Sequence, residues 1–148
     1  MWTMTPADIK TQQQQLEQVI AEALESAKQL GADAAEMSIS KQTGLSVNTR
    51  NGELENIEFN KDGALGIAVY QDGRKGSAST SDLRPEAITR TVKAALDISR
   101  YTTADPFAGL APADALAWDA PELELCFPHE VAPEEGVALA LACERCIR

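Results

Sequence analysis

The dipeptide His129-Glu130 is the part of the sequence that comes nearest to a catalytic signature. In zinc peptidases of the H-E-x-x-H type, a second histidine one helical turn later lets two imidazoles bind one metal from the same helix face. Here the positions four and five residues beyond His129 are Pro133 and Glu134, and neither supplies an imidazole. Pro128 and Pro133 also bracket the segment, which argues against a helix there. We interpret His129 as a loop histidine and predict no metal at this position.

The pair Cys143-x-x-Cys146 has the spacing of a zinc half-site or of a redox pair. A redox pair needs a strand-to-helix entry, where the helix N-terminus lowers the thiol pKa, but this pair lies late in a helical pattern. A zinc site needs two more ligands, and only Cys126 and His129 remain. Three cysteines, two of them crowded at the C-terminus, also make no disulfide framework. We expect cysteines on a helix without a metal or redox role.

The remaining polar and glycine-rich segments lack the partners that chemistry requires. The hydroxyl-rich run GSASTSD at 76–82 has no neighbouring base to activate a nucleophile. The runs DGALG and DGRKG miss the phosphate-loop pattern, so we interpret Asp62-Gly63 and Asp72-Gly73 as turns. The glutamates beside the hairpin are interpreted as solvent-facing charges: Glu53, Glu55 and Glu58. The sequence therefore predicts no catalytic, cofactor-binding or metal-binding residue in this chain.

Length and charge restrict the class of protein. A chain of 148 residues with 44% apolar and 24% charged residues is typical of one globular domain. Its net charge of −10 repels phosphate backbones and anionic lipid, so we expect no direct binding to nucleic acid or membranes. No apolar run approaches the roughly 20 residues that a membrane span needs. The N-terminal stretch MWTMTPADIKTQQQQ does not resemble a signal peptide, and we expect a cytoplasmic protein.

Two amphipathic helices are predicted by apolar residues at spacings of three and four. The first has a capping signal in Thr5-Pro6-Ala7-Asp8 and ends at Gly31. The second spans about 84–100, with Pro85 in its first turn and Asp82 or Ser81 as a possible cap. Its predicted inner face consists of Ile88, Val92, Ala95, Leu96 and Ser99.

Between these helices the apolar period changes from 3.6 to 2, which indicates strands. AEMSISK and GLSVNTR alternate, and Asn51-Gly52 follows them as a strong hairpin signal. ELENIEF changes phase between Leu54 and Ile57, which predicts a bulge near Glu55-Asn56. ALGIAVY is apolar on both faces and is expected at the centre of the sheet, whereas RKGSAST suits an edge or a closely packed strand. We predict an antiparallel meander of four to five strands within an α+β fold.

The C-terminal third has a different character. Residues 101–132 contain four of the seven prolines, which predicts an extended connection. Pro133-Glu134-Glu135 then opens a third helical pattern, whose apolar stripe would be Val137, Leu141 and Ile147. The chain stops inside this pattern, as a fragment of something longer would. We divide it into an α+β domain at 1–104, a Pro-rich connection at 105–132, and the start of a helix of a following, absent region at 133–148.

Two long runs resemble the N-terminal domain of the TldD/PmbA family, in its PmbA (TldE) branch. They are NTRNGELENIEFNKDGALGIAVYQDGRKGSASTSDL and TVKAALDISRYTTADPFAGLAP, and the similarity extends over about 15–142. The resemblance implies a TldD–TldE-type heterodimeric zinc metalloprotease that acts on unfolded or peptide-like substrates, in toxin maturation or antitoxin degradation. In this family the H-E-x-x-x-H zinc signature belongs to the TldD subunit. The implied role is therefore a non-catalytic subunit, with zinc and catalysis expected in the TldD-type partner.

The sequence also leaves open two other hypotheses about the function of this protein. One is a protein-interaction module for DNA gyrase or another regulator, since members of the family are also described as candidate gyrase modulators. The other is an independent hydrolase, which the lack of a catalytic motif in this sequence disfavours. Co-purification with a TldD-type subunit would discriminate the protease reading from the interaction module.

Overall fold

In the computed structural model, residues 5–121, 123–125, 127 and 129–147 are described. Their order is helix, three strands, helix, a short 3₁₀ turn at Ala113–Ala115, and helix, so the predicted α+β class is confirmed. The helices are α1 (Pro6–Gln29), α2 (Pro85–Tyr101) and α3 (Pro133–Ile147), and the strands are β1 (Ala34–Arg50), β2 (Glu53–Gln71) and β3 (Arg74–Thr80).

Helix α1 begins with the predicted capping box. Asp8 N donates to Thr5 Oγ1 at 3.2 Å, and Thr5 N donates to Asp8 Oδ2 at 2.9 Å, which satisfies two amides at the helix start. The hydrogen bond from the Thr5 hydroxyl also lowers the pKa of the Asp8 carboxyl. After the helix, Gly31 adopts φ 102°, a conformation that glycine tolerates without a steric penalty. Both predicted ends of the helix are confirmed.

The sheet has three antiparallel strands in the order β1-β2-β3, and the predicted four to five strands are wrong. AEMSISK and GLSVNTR form one strand, and ELENIEF and ALGIAVY form another. The predicted turn at Asp62-Gly63 lies inside β2, where Asp62 pairs with Gln42 and Gly63 with Lys41. Continuous pairing between two long strands overrides the local turn preference of an Asp-Gly pair.

The other turn predictions are confirmed. Asn51-Gly52 has φ of 57° and 83°, and Asp72-Gly73 has φ of 51° and 68°, so each forms a two-residue hairpin turn with both residues left-handed. The bulge is also confirmed. Asn48 pairs with Asn56 and Thr49 with Leu54, which leaves Glu55 as the extra residue on β2.

The core lies between one face of the sheet and the helices α1 and α2. β2 is the central strand, as predicted for ALGIAVY, and its Leu65, Ile67 and Val69 are buried. Ala23 and Ala27 of α1 pack into the same cluster. The predicted inner face of α2 is buried throughout: Ile88, Val92, Ala95, Leu96 and Ser99.

The start of α2 differs from the prediction, because the N-cap residue is Arg84 and no side chain caps the first turn. Asp82 lies two residues before the cap, so its carboxylate accepts hydrogen bonds from the Arg84 amide at 3.0 Å and from the Arg84 guanidinium. These bonds lower the pKa of the Asp82 carboxyl to about 2. Asp82 thus fixes the chain that enters the helix, but neither it nor Ser81 caps the helix itself.

Among its described residues, the connection after α2 contains the 3₁₀ turn and further turns at 106–107 and 118–119, and Trp118 Nε1 donates to Ala113 O at 2.8 Å. Several of its large apolar side chains face solvent, with Phe107 exposed to 93% and Leu125 and Phe127 to 81% each. Across the described ranges, the structure contains no helix with both the length and the apolar character that a bilayer crossing requires.

Candidate functional site

Strands β1 and β2 are longer than β3, and their unaccompanied parts form a two-stranded ribbon, residues 41–62. Helix α3 packs along this ribbon. A Cβ built on Gly136 would lie 3.2 Å from Val47 Cγ2 and 3.3 Å from Leu45 Cδ2, so the glycine allows a close approach. At the ribbon tip, Gly52 N donates to both carboxylate oxygens of Glu144, at 3.1 and 3.2 Å. Helix α3 therefore lies along β1 from Leu45 to the hairpin turn.

The predicted apolar stripe of α3 is partly covered by this packing. Val137 and Leu141 are half-buried, whereas Ile147 is exposed to 86%. Contacts with the rest of the domain thus cover the first two residues of the stripe and leave its last residue exposed. The ribbon supplies a surface that the sequence pattern did not reveal, because the pattern does not show how far a hairpin extends beyond its sheet.

A groove of about 1150 Å³ opens between the start of α1, the ribbon and α3. Its larger apolar lining residues are Ile9, Leu45, Val47, Phe59, Val131 and Leu139. Phe59 and Leu139 are both more than half exposed, at 70% and 63%. A surface of this kind is typical of sites that bind a ligand or another chain through apolar contacts.

Three residues of the sequence motifs described above border this groove: His129, Glu130 and Cys143. His129 lies in non-helical chain, as predicted. Nevertheless, no three His, Cys, Asp or Glu side chains among the described residues are grouped so that they could hold a metal ion. Cys143 and Cys146 are exposed thiols, and Cys126 lies outside the described residues. The described side chains around the groove do not supply a set of zinc ligands.

The opposite face of the sheet carries a polar cluster that the sequence did not predict. Tyr70 is exposed to only 7%, and its hydroxyl donates to Glu36 Oε1 at 2.8 Å. Lys75 Nζ lies 3.4 Å from the same oxygen and 5.3 Å from the centroid of the Tyr70 ring. The three residues come from three strands, and only the strand register brings them together.

The electrostatics of this cluster favour a structural role. The Tyr70 hydroxyl lowers the pKa of Glu36, with a smaller contribution from Lys75. Tyr70, and then Glu36, raises the pKa of Lys75. General acid–base catalysis requires a pKa that moves toward the working pH, but these two pKa values move away from neutrality. Both shifts favour the charged forms of Glu36 and Lys75, which is typical of a cluster that stabilises the sheet.

Beside the cluster, the sheet face opposite α1 and α2, which we call the open face, carries mostly small side chains. A shallow depression of about 430 Å³ lies over Ser38, Gly66, Ala68, Ser77 and Ser79. These positions share one face because they alternate with the buried residues of each strand. The face can accommodate the close approach of another chain.

Comparison with known proteins shows the same family that the sequence resembles. Residues 35–99 match the family model described as PmbA/TldA metallopeptidase domain 1. The chain is 54% identical over 139 residues to "Metalloprotease PmbA" of Escherichia coli O157:H7, which covers 94% of this chain and 31% of the relative. It is 46% identical over 147 residues to a "Metalloprotease PmbA homolog" of Haemophilus influenzae, covering 96% of this chain and 32% of that protein. The chain thus spans about a third of the length of these relatives.

Solved structures show the same fold at low identity. TldE from Thermococcus kodakarensis superposes with a TM-score of 0.59 at 14% identity, covering 64% of this chain and 21% of that one. A candidate modulator of DNA gyrase from Bacteroides thetaiotaomicron superposes with a TM-score of 0.61 at 24% identity, covering 74% and 23%. At these identities the likeness supports the fold alone.

Proposed function

Because the chain belongs to the PmbA/TldD family, as its N-terminal domain, we propose that it helps to build the non-catalytic subunit of a TldD–TldE-type heterodimeric zinc metalloprotease. The observation that carries the proposal is the 54% identity to a metalloprotease PmbA across 94% of the chain. The substrates would be unfolded or peptide-like chains, and the complex would act in the cytoplasm.

The side chains of this domain support a role in shaping the assembly. Among the described residues, His129, Glu130 and Cys143 do not combine into a metal site. Zinc in the TldD-type subunit is what the family resemblance implies. The connection and the groove expose large apolar side chains, among them Phe107 and Phe59. Exposed apolar surface of this kind is typical of contacts with other domains or subunits.

The test is co-expression of the full-length polypeptide that carries this domain with a tagged TldD-type subunit. We expect the two to co-purify, to contain zinc by elemental analysis, and to degrade an unfolded substrate such as reduced, alkylated lactalbumin. Chelation should abolish cleavage and added zinc should restore it. Each subunit purified alone is the matched control, and both controls should be inactive.

Two results would contradict the proposal. The first is recovery of the two subunits as separate species under conditions where each is folded. The second is co-purification of the full-length polypeptide with DNA gyrase in place of the TldD-type subunit, which would favour the interaction-module reading.

A further inference from the structure

The segment that leaves α2 contacts the turn before β3 and the outer edge at the start of β3. Asp105 N donates to Gly73 O at 2.7 Å, and Thr102 Oγ1 donates to Lys75 O at 3.1 Å. The chain that leaves α2 therefore occupies the carbonyl group of Gly73 in the turn and that of Lys75 at the start of β3.

The second half of the same edge, residues 76–80, remains open. The two-residue turn Asp72-Gly73 makes Gln71 and Arg74 a hydrogen-bonded pair. Because such pairs alternate along an antiparallel ladder, the N–H and C=O groups of Ser77 and Ser79 point away from β2. Both residues are exposed, and within the described part of the chain these outward groups have no hydrogen-bond partner.

The open half of this edge lacks the features that usually protect a sheet edge. Edge strands are commonly guarded by charged side chains, proline or a bulge. Residues 76–80 read Gly-Ser-Ala-Ser-Thr, and their pairing with β2 has no register shift. The other edge strand, β1, carries Glu36, Lys41 and Arg50. The position of the β3 edge is also fixed by α2, because Gly76 lies against the backbone of that helix.

The net charge of the chain decides between two possible occupants of this edge. Pairing with a second copy would bring together two molecules that each carry a net charge of −10. A neutral or cationic peptide meets no such repulsion. We infer that the edge of β3 at Ser77 and Ser79 binds an extended, neutral or cationic segment of unfolded polypeptide by strand addition. The choice of unfolded polypeptide as the occupant rests on the function proposed above.

The geometry limits what such a peptide can contact. The hydroxyl of Thr102 occupies the Lys75 carbonyl, so the open edge begins after Lys75 and about four residues of a peptide can lie in register with it. On the open face, side chains of the peptide would lie beside Ser77, Ser79 and the shallow depression next to them. Small neighbours exclude few side chains, so recognition would depend on the peptide backbone more than on its sequence.

The test measures binding of the 148-residue chain to a fluorescein-labelled peptide, Thr-Val-Lys-Val-Thr-Val-Lys, blocked at both ends, by fluorescence anisotropy. An analogue with its central backbone amides N-methylated is the first control, because it keeps the side chains but cannot complete a strand ladder. Ser79→Pro removes an outward donor while leaving the hydrogen bonds to β2 in place. Thr43→Pro makes the same change at an exposed position of the other edge strand.

We expect saturable binding of the peptide, accompanied by amide shifts at Ser77 and Ser79 in NMR spectra. N-methylation or Ser79→Pro should weaken binding at least about tenfold, as the loss of one or two hydrogen bonds implies, whereas Thr43→Pro should leave it unchanged.

Tight binding of the N-methylated peptide, or of the unmodified peptide to a folded Ser79→Pro variant, would overturn the inference. So would the absence of binding at millimolar peptide, or a dimer in sedimentation that Ser79→Pro dissolves. Failure of the TldD-type subunit to co-purify would reject the protease proposal and leave this binding measurement standing.

Discussion

Gly76 of β3 lies directly against the backbone of α2 at Ala95 and Ser99. A Cβ on Gly76 would overlap the Ala95 carbonyl oxygen and lie 2.5 Å from Ser99 N. Because helix backbone cannot yield as a flexible side chain can, we expect Gly76→Ala to lower the free energy of unfolding by about 1–3 kcal/mol, the usual cost of overpacking, or more. Urea denaturation measures this loss.

The matched control for that variant is Gly44→Ala on β1. A Cβ on Gly44 would meet nothing within 4 Å, so the added methyl group should not reduce stability. Equal stability of the Gly76→Ala and Gly44→Ala variants would show that α2 and β3 are further apart than described.

The turn Asn51-Gly52 should be equally sensitive, for a different reason. Gly52 has φ of 83°, and its amide donates to Glu144. Gly52→Val places a β-branched residue in the left-handed region, and we expect a loss of about 1–3 kcal/mol in unfolding free energy. Gly44→Val introduces the same side chain at a strand position without this strain. A Gly52→Val variant as stable as Gly44→Val would mean that the turn does not set the register of the hairpin.

Much of this fold could be predicted from local sequence because it depends on local chemistry. The Thr5 capping box, the two left-handed turns and the bulge at Glu55 each follow from a few adjacent residues. The number of strands could not be predicted, since Gly63 carries a turn signal that only pairing with β1 overrides. The cap of α2 was wrong for a similar reason, because the carboxylate of Asp82 is held by Arg84.

The candidate sites required information that sequence alone does not contain. Glu36, Tyr70 and Lys75 meet only once the register of three strands is fixed. Alternation could place Glu36 on the solvent face of its strand, but it could not identify its partners. The groove joins Ile9 to Leu139, which are far apart in the chain, and no short-range pattern links them.

The hydrogen bond between Tyr70 and Glu36 predicts a pH dependence of stability. Tyr70 holds the folded pKa of Glu36 below its ordinary value of 4.5. A carboxyl group with a lowered folded pKa adds stability that is fully present above the unfolded pKa and is lost as pH falls through the folded pKa. We expect Tyr70→Phe to be less stable than the wild type at pH 7, with a difference that narrows as pH falls below 4.5.

Urea denaturation of both proteins at pH 7 and pH 3 measures this difference, and an NMR titration of the Glu36 carboxyl should show a higher pKa in Tyr70→Phe. Tyr101→Phe is the matched control, because that side chain is exposed to 90%. A stability difference of the same size at both pH values would indicate that Tyr70 contributes through packing of its ring and not through Glu36.

Helix α3 should be the least stable of the three helices. None of its described residues is fully buried, whereas α2 buries seven. It is nevertheless held to the ribbon at Gly136 and, through Glu144, at Gly52. Local opening depends on the apolar area and hydrogen bonds lost, so we expect the backbone amides of 137–147 to exchange hydrogen at least about tenfold faster than those of α2.

Glu144→Ala should accelerate hydrogen exchange in the last turns of α3 and leave α2 unchanged. Cys146→Ala, at an exposed position of the same helix, should change neither. Protection of α3 equal to that of α2 in a monomeric sample would show that the helix is docked more firmly than its half-buried contacts account for.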